Sequence, residues 1–88
     1  MMVTTPIMSS IMKLSFAQWF KLRRDVADVT QAQIAKVLDV RPQTVGNWQK
    51  GVSVPSLNPE QTLKLCSILK ISLEELAKGF RGEFSIED

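Results

Sequence analysis

Apolar residues recur every three or four positions in five stretches of this 88-residue chain. This spacing is typical of amphipathic helices, whose apolar positions share one face. Residues that start and stop helices bound each stretch, so we predict helices over residues 16–26, 31–38, 42–50, 59–69 and 73–78. The predicted fold is all-α, a compact domain of five helices over residues 15–80.

Capping residues mark four of the five helix starts. Asn58, followed by Pro59 and then Gln61, fits a cap with proline at the first helical position, and three pairs fit the capping box: Ser15 and Gln18, Thr30 and Gln33, and Ser72 and Glu75. In this pattern each side chain accepts a hydrogen bond from the other residue's backbone N–H. Asp39 is predicted to turn the chain after the second helix, and Gly51 and Gly79 to end the third and fifth helices.

The third helix has an apolar side and a polar side. Val45 and Trp48 share the apolar side, whereas the polar side carries, at helical spacing, Gln43, Gly46, Asn47 and Lys50. We call these four residues the recognition stripe. Amide side chains outside charged pairs can bond to base edges, so the stripe is suited to reading nucleic acid. Gly46 costs the helix about 1 kcal/mol relative to alanine, which favours either a close approach of DNA or a packing role.

The start of the third helix lacks a capping side chain. Arg41 stands where Ser, Thr, Asp or Asn would normally lie, and Pro42 follows it. Loss of a cap costs about 1 kcal/mol, and a positive charge is unfavourable at a helix N-terminus. An approaching anion would offset this cost, so Arg41 is a candidate contact to an anionic partner. Tolerated surface variation is the alternative.

Charge is distributed unevenly along the chain, although the net charge is only +2. Residues 13–70 contain nine basic and four acidic side chains, whereas residues 71–88 contain two basic and five acidic ones. Residues 13–70, the body of the chain, therefore carry a net charge of +5, and residues 71–88 carry a net charge of −3. A basic body suits a polyanion, although a solvated surface explains this much charge about equally well.

Composition argues against several classes of protein. With one Cys and no His, we expect no intramolecular disulfide, no metal and no cofactor. Cys66 lies in an apolar helical stretch, which favours a small core residue and a reducing, cytoplasmic location. No apolar stretch approaches the roughly 20 residues of a membrane span, and the first residues lack the basic start of a signal peptide. The content of 44% hydrophobic and 23% charged residues fits one small globular domain.

The two ends of the chain are assigned outside the helical domain. Residues 1–14 are predicted to be a flexible N-terminal arm, and residues 81–88 an acidic C-terminal tail. The tail alternates weakly between polar and apolar residues, so it is either frayed or a short strand that pairs with a segment such as residues 2–5. Candidate dimer contacts at this end of the chain are Phe80, Phe84 and Ile86.

The chain resembles the phage-repressor and Cro type of helix-turn-helix, often called XRE-type, over residues 22–80. The residues that carry the resemblance are, in order, Thr30-Gln31, Ile34-Ala35, Leu38, Val40, 42–45, Trp48, Gly51, 55–57 and 69–76. The resemblance implies a lambda-repressor-like fold in which the second and third helices form the helix-turn-helix. It further implies that the third helix enters the major groove while the second crosses the DNA backbone.

DNA contacts are predicted at eight residues of this chain, of which Gln31, Gln43 and Asn47 match contact positions of the family. Base contacts are predicted for Gln43, Asn47 and Arg41, and backbone contacts for Gln31, Thr44, Lys50, Arg24 and Arg23. Gln43 and Asn47 can pair bidentately with adenine, while Arg41 can reach guanine or phosphate. In many members the glutamine that matches Gln31 bonds a phosphate and braces the recognition helix. Which of Arg23 and Arg24 matches the family's basic position stays open.

Some positions depart from the family pattern. Asp39 and Lys70 occupy turn positions where relatives usually have glycine, and Asn58-Pro59 lengthens the loop before the fourth helix. Arg41 and Pro42 replace small or polar residues, so no preference for a DNA sequence carries over.

The resemblance implies a sequence-specific regulator of transcription, in most members a repressor, that binds a palindromic operator as a homodimer. The expected partners are double-stranded DNA and a second copy of the chain, with no membrane and no small-molecule ligand. An antitoxin-type regulator and a protein-interaction module that keeps the fold are the alternatives. An enzyme is not expected, because the chain has no His, no paired carboxylates suited to a pocket and no phosphate-binding glycine loop.

Overall fold

The computed structural model describes residues 12–83 and 85–86, and within them it has five helices. In chain order they are α1 (Phe16–Ala27), α2 (Gln31–Leu38), α3 (Pro42–Lys50), α4 (Pro59–Leu69) and α5 (Leu73–Arg81). Two short strands, β1 (Met12–Lys13) and β2 (Ser85–Ile86), flank the helices. The predicted all-α, five-helix fold is confirmed.

Reciprocal hydrogen bonds explain where four of the helices begin. At α2, the Gln33 backbone N–H donates to Thr30 Oγ1 at 3.1 Å, and the Thr30 backbone N–H donates to Gln33 Oε1 at 2.8 Å. The same pair of bonds forms at Ser15, Asn58 and Ser72. Each supplies partners to N–H groups that a first helical turn leaves unpaired. The three predicted capping boxes are therefore confirmed, and the cap predicted at Asn58 forms a capping box as well.

Three helices end on a residue other than glycine in the left-handed conformation. Asp28, Asp39 and Lys70 have φ values of 59°, 58° and 58°, and their backbone N–H groups close the last turn of each helix. Aspartate tolerates this conformation better than most residues, and the turn predicted at Asp39 is confirmed. Lys70 has no such preference, so its conformation costs about 1–2 kcal/mol.

The core forms where all five helices meet. Eight large side chains are almost completely buried: Trp19, Phe20, Ile34, Leu38, Val45, Leu65, Leu69 and Leu76. Every helix contributes at least one of them. Burial of one such side chain contributes about 1.5–3 kcal/mol, so this cluster fixes the helices against one another.

The end of α5 differs from the prediction. The helix continues past Gly79 to Arg81, and Gly82 ends it with a φ of 68°. Gly79 lies inside the helix against the ring of Trp19, where a Cβ at residue 79 would come within 2.5 Å of Trp19 Cε3. The glycine is therefore required by helix packing and not by the helix terminus. α1 ends at Ala27, one residue later than predicted.

The two strands pair with each other. They form an antiparallel two-stranded sheet in which Met12 lies opposite Ile86 and Lys13 opposite Ser85. The tail thus contains a strand, one of the two predicted alternatives, and it pairs with Met12–Lys13. Residues 2–5, the partner named in the prediction, lie outside the described residues. Leu14, next to β1, is buried, so folded structure begins within the segment assigned to the N-terminal arm.

Phe80, one of the candidate dimer contacts, packs within its own chain. Its ring stacks on Phe16 with the centroids 4.9 Å apart and 6° between the planes, yet Phe80 stays 38% exposed. The ring therefore covers part of α1 and still offers apolar surface. The predictions for Phe84 and for the Ile86 side chain lie outside the described residues.

Candidate nucleic-acid interface

A short turn fixes the angle between α2 and α3. Asp39 takes the left-handed conformation, and the Val40 backbone N–H donates to the Ala35 carbonyl at 3.0 Å. Val40 packs against the core at the corner. Ala35 is 2% exposed, and its small side chain lets the two helices approach closely. Residues 30–51 therefore form the predicted helix-turn-helix.

α3 buries its apolar side and turns the recognition stripe outward. Val45 and Trp48 are 0% and 3% exposed, and Trp48 meets Phe20 edge-on with ring centroids 6.1 Å apart. The stripe residues on the opposite side are exposed or half-buried. They run along a helix of nine residues, about 13 Å long. The arrangement leaves the amides free to meet base edges in a major groove.

The start of α3 has no side-chain cap, as the sequence predicts. Arg41 has an extended backbone conformation, makes no capping hydrogen bond and is exposed. Thr44, in the first turn, is half-buried. In this turn Pro42 has no N–H and the Thr44 N–H donates to the Arg41 carbonyl at 2.9 Å, so the Gln43 N–H and the guanidinium of Arg41 are the donors at this end of the helix. This end can therefore offer several donors to an anion.

Gln49, which the sequence pattern did not single out, connects three helices. Its Oε1 accepts one hydrogen bond from Arg24 Nε of α1 and one from Gln31 Nε2 of α2, each at 3.0 Å. Arg24 Nη1 also donates to the Val29 carbonyl at 3.1 Å. Gln31 thus contacts the recognition helix, as a bracing role requires. The signal in the sequence is weak, since Gln49 only borders the buried side next to Trp48.

The two arginines of α1 lie in different surroundings. Arg24 is bonded to Gln49, beside the helix-turn-helix. Arg23 is half-buried, and its Nε makes no hydrogen bond to the described residues. The backbone N–H of Ser72, and to a smaller extent the charge of Arg23, lower the pKa of Glu75 in α5. Arg23 therefore lies near α5, and Arg24 is the arginine next to the helix-turn-helix.

Gly46 faces the side chain of Gln31 without any steric need for glycine. A Cβ at residue 46 would lie 3.5 Å from Gln31 Oε1, which is an ordinary van der Waals contact. Packing within the chain therefore does not explain the glycine.

We expect Gly46→Ala to raise the free energy of unfolding by about 0.5–1 kcal/mol, because alanine is the better helix former and fits the space. Urea denaturation followed by tryptophan fluorescence measures this change. Ala32→Gly, at an exposed position of α2, is the matched control and should lower stability by a similar amount. A loss of stability in Gly46→Ala would instead mean that packing requires the glycine.

An apolar groove lies between α4 and α5, away from the recognition stripe. Its lining includes Leu57, Leu63, Cys66, Ile71 and Leu73. Burial raises the pKa of the Cys66 thiol, so this group stays protonated at neutral pH. Among the described residues, no cluster of side chains could hold a metal ion. No helix in the same part of the chain combines the length and apolar character needed to cross a membrane.

A helix-turn-helix whose second helix exposes a polar face is characteristic of a class of DNA-binding domains. The sequence model of the helix-turn-helix family matches residues 20–76, and the chain belongs to this family, among its XRE-type DNA-binding proteins. The fold is similar to that of the P22 c2 repressor protein, solved in complex with synthetic operator 9T in the presence of Tl⁺, with a TM-score of 0.60 and 26% sequence identity. The match covers 75% of this chain and 97% of the repressor chain. None of the curated proteins matches this chain.

Proposed function

We propose that this protein binds specific sequences of double-stranded DNA and regulates transcription as a repressor. The observation that carries the proposal is the outward polar face of α3 on an otherwise packed helix-turn-helix. Membership of the XRE-type family supports DNA binding and transcription regulation. The similarity to a repressor that was solved with its operator supports the repressor role.

Within this proposal, Gln43 and Asn47 read base edges. Both lie on the outer side of α3, about one turn apart, and an amide can donate to and accept from adenine at once. Arg41, at the uncapped helix start, reaches a guanine edge or a phosphate. A protein-interaction module would instead be expected to carry apolar or acidic residues on this face.

The proposed phosphate contacts surround the recognition stripe. Gln31 lies in the first turn of α2, Thr44 at the edge of the stripe and Lys50 at the end of α3. Arg24 adds a cation from α1, with Arg23 as the neighbouring candidate. Such contacts fix the register of a protein on the duplex but carry no sequence information themselves.

We further propose a homodimer on a palindromic operator, with half-sites about one helical turn apart. A domain of this size buries a small core, so association would add buried apolar surface. α5 and the paired chain ends supply the candidate contact, where Phe80 remains partly exposed beside Phe16.

Selection of bound duplexes from random DNA at low salt tests the whole proposal. We expect enrichment of a palindromic motif, because two copies of α3 would read the same bases in inverted orientation. The unselected pool is the control for non-specific binding. Enrichment of a single half-site would support sequence-specific DNA binding and contradict the proposed homodimer. If no duplex were enriched, the protein-interaction module would replace DNA binding as the function.

A further inference from the structure

The groove between α4 and α5 exposes apolar side chains that the fold leaves uncovered. Residues of α4 at helical spacing line it from Pro59 onward, Lys70 follows at the end of that helix, and Leu73 comes from α5. Leu63 and Leu73 are 61% and 65% exposed, whereas Ile71 is buried. Since α4 has eleven residues, the lined side of this helix is about 16 Å long. The groove is therefore an elongated apolar surface that is open to a ligand.

The groove has the size and the lining of a small-molecule site. Its volume is about 680 Å³, and sites for small ligands typically measure about 300–1,000 Å³ and are mostly apolar with few polar groups. Besides the Cys66 thiol, the polar side-chain groups here are the hydroxyls of Thr62 and Ser67 and the ammonium of Lys70. Helices supply most of the lining, and their backbone groups are bonded within the helices. An extended peptide would therefore bury its own N–H and C=O groups without partners, which favours a small apolar molecule.

Lys70 is the one charged residue that lines the groove in the described part of the chain. It is exposed, and its φ of 58° is a conformation that glycine adopts freely and lysine adopts at a cost. Neither of the two ion pairs among the described residues includes it. A backbone conformation held at a cost often marks a functional site, and an ammonium outside these ion pairs is available to an anion. The lining thus combines an apolar surface with a single available positive charge.

We propose that the groove binds a small apolar acid, a molecule with a hydrocarbon body and a single carboxylate, of which a medium-chain fatty acid is the simplest example. The hydrocarbon packs against Leu63, Cys66 and Leu73, and the carboxylate pairs with the ammonium of Lys70. Ser67, one turn before Lys70, supplies a hydroxyl donor. The lining residues all fall within residues 57–73, so this site is separate from the recognition stripe and does not depend on the proposed DNA binding. The sequence indicated no small-molecule ligand, because the walls come from two helices that only folding brings together.

Protection of Cys66 from N-ethylmaleimide measures occupancy of the groove, because Cys66 lines it and is the chain's single cysteine. We expect decanoate, below its micelle-forming concentration, to slow this reaction in a saturable manner. The pH is kept constant, because the thiolate is the reacting form. Decyltrimethylammonium carries an alkyl chain of similar length with a positive head group. It should require at least roughly tenfold more ligand for half of its effect, because repulsion from Lys70 replaces attraction.

The Lys70→Glu variant should reverse this preference, so that decyltrimethylammonium binds more tightly than decanoate. Lys70 is exposed, so the fold should tolerate the change. Lys64→Glu is the matched control, because it makes the same charge change at an exposed position of α4 outside the lining. It should alter both affinities by roughly twofold or less.

The inference would be wrong if decanoate left the labelling rate unchanged, if the wild type bound both ligands equally well, or if Lys70→Glu kept the preference for decanoate. A labelling rate of the ligand-free protein that fell as the protein concentration rose would show that a second copy covers the groove. That result would also contradict the proposed ligand.

Discussion

Replacing both Gln43 and Asn47 by alanine is expected to remove most of the protein's discrimination between its operator and other DNA. Each amide that pairs bidentately with a base is worth about 1–3 kcal/mol, so the double variant should lose about 2–6 kcal/mol of specific binding if the two contacts are independent. Both side chains lie on the outer face of α3, so the fold should tolerate their loss. Anisotropy titrations with the selected operator and a scrambled duplex measure the difference.

Two lysine variants provide the comparison for this result. Lys50→Ala should weaken binding to every duplex by a similar factor and flatten the salt dependence, because a phosphate contact carries no sequence information. Lys64→Ala, at an exposed position of α4 outside the stripe, is its matched control and should change affinity little. Unchanged discrimination in the double amide variant would show that α3 does not read bases through Gln43 and Asn47.

The second large effect is expected on stability, from Gly79→Ala in α5. The added Cβ would stand 2.5 Å from Trp19 Cε3, and Trp19 is 1% exposed, so the ring has no open space to move into. Overpacking of this kind typically costs about 1–3 kcal/mol, a large part of the roughly 5–15 kcal/mol that holds a domain together. The cost should exceed the gain of about 1 kcal/mol from the better helix former.

Urea denaturation of Gly79→Ala and Gly46→Ala, compared with the wild type, tests this prediction. Both variants replace a glycine inside a helix by alanine, yet we expect opposite signs, because only residue 79 faces a rigid ring at short distance. Equal stabilisation by the two substitutions would contradict the packing role of Gly79. Helix propensity cannot explain a difference between the two variants, because replacing glycine by alanine inside a helix adds the same intrinsic stability at both sites.

Much of the helical structure was predictable because its causes are local. The capping boxes at Ser15, Thr30, Asn58 and Ser72 involve residues only three positions apart, so the sequence displays both partners together. The missing cap at Arg41 was visible for the same reason. The outward face of α3 followed from helical periodicity, because burying one side of a helix exposes the other.

The features that the sequence did not predict depend on distant partners. The sequence predicted that Gly79 ends the fifth helix. In the structure Gly79 lies inside α5 and packs against Trp19, which is sixty positions earlier in the chain. A strand in the tail was one of the two predicted alternatives, but its partner, Met12–Lys13, lies far away in the chain and was not predicted.

The sequence by itself determined the five helices, the helix-turn-helix and the polar recognition stripe, because capping and periodicity act within a few residues. Only the tertiary structure decided that Arg24 lies beside the helix-turn-helix, that Arg23 lies near α5, and that Gln49 joins Arg24 to Gln31. The reason is physical: a side chain on a helix border has no fixed partner until packing brings another helix against it. The burial of large side chains such as Trp48 and Phe20 sets that packing.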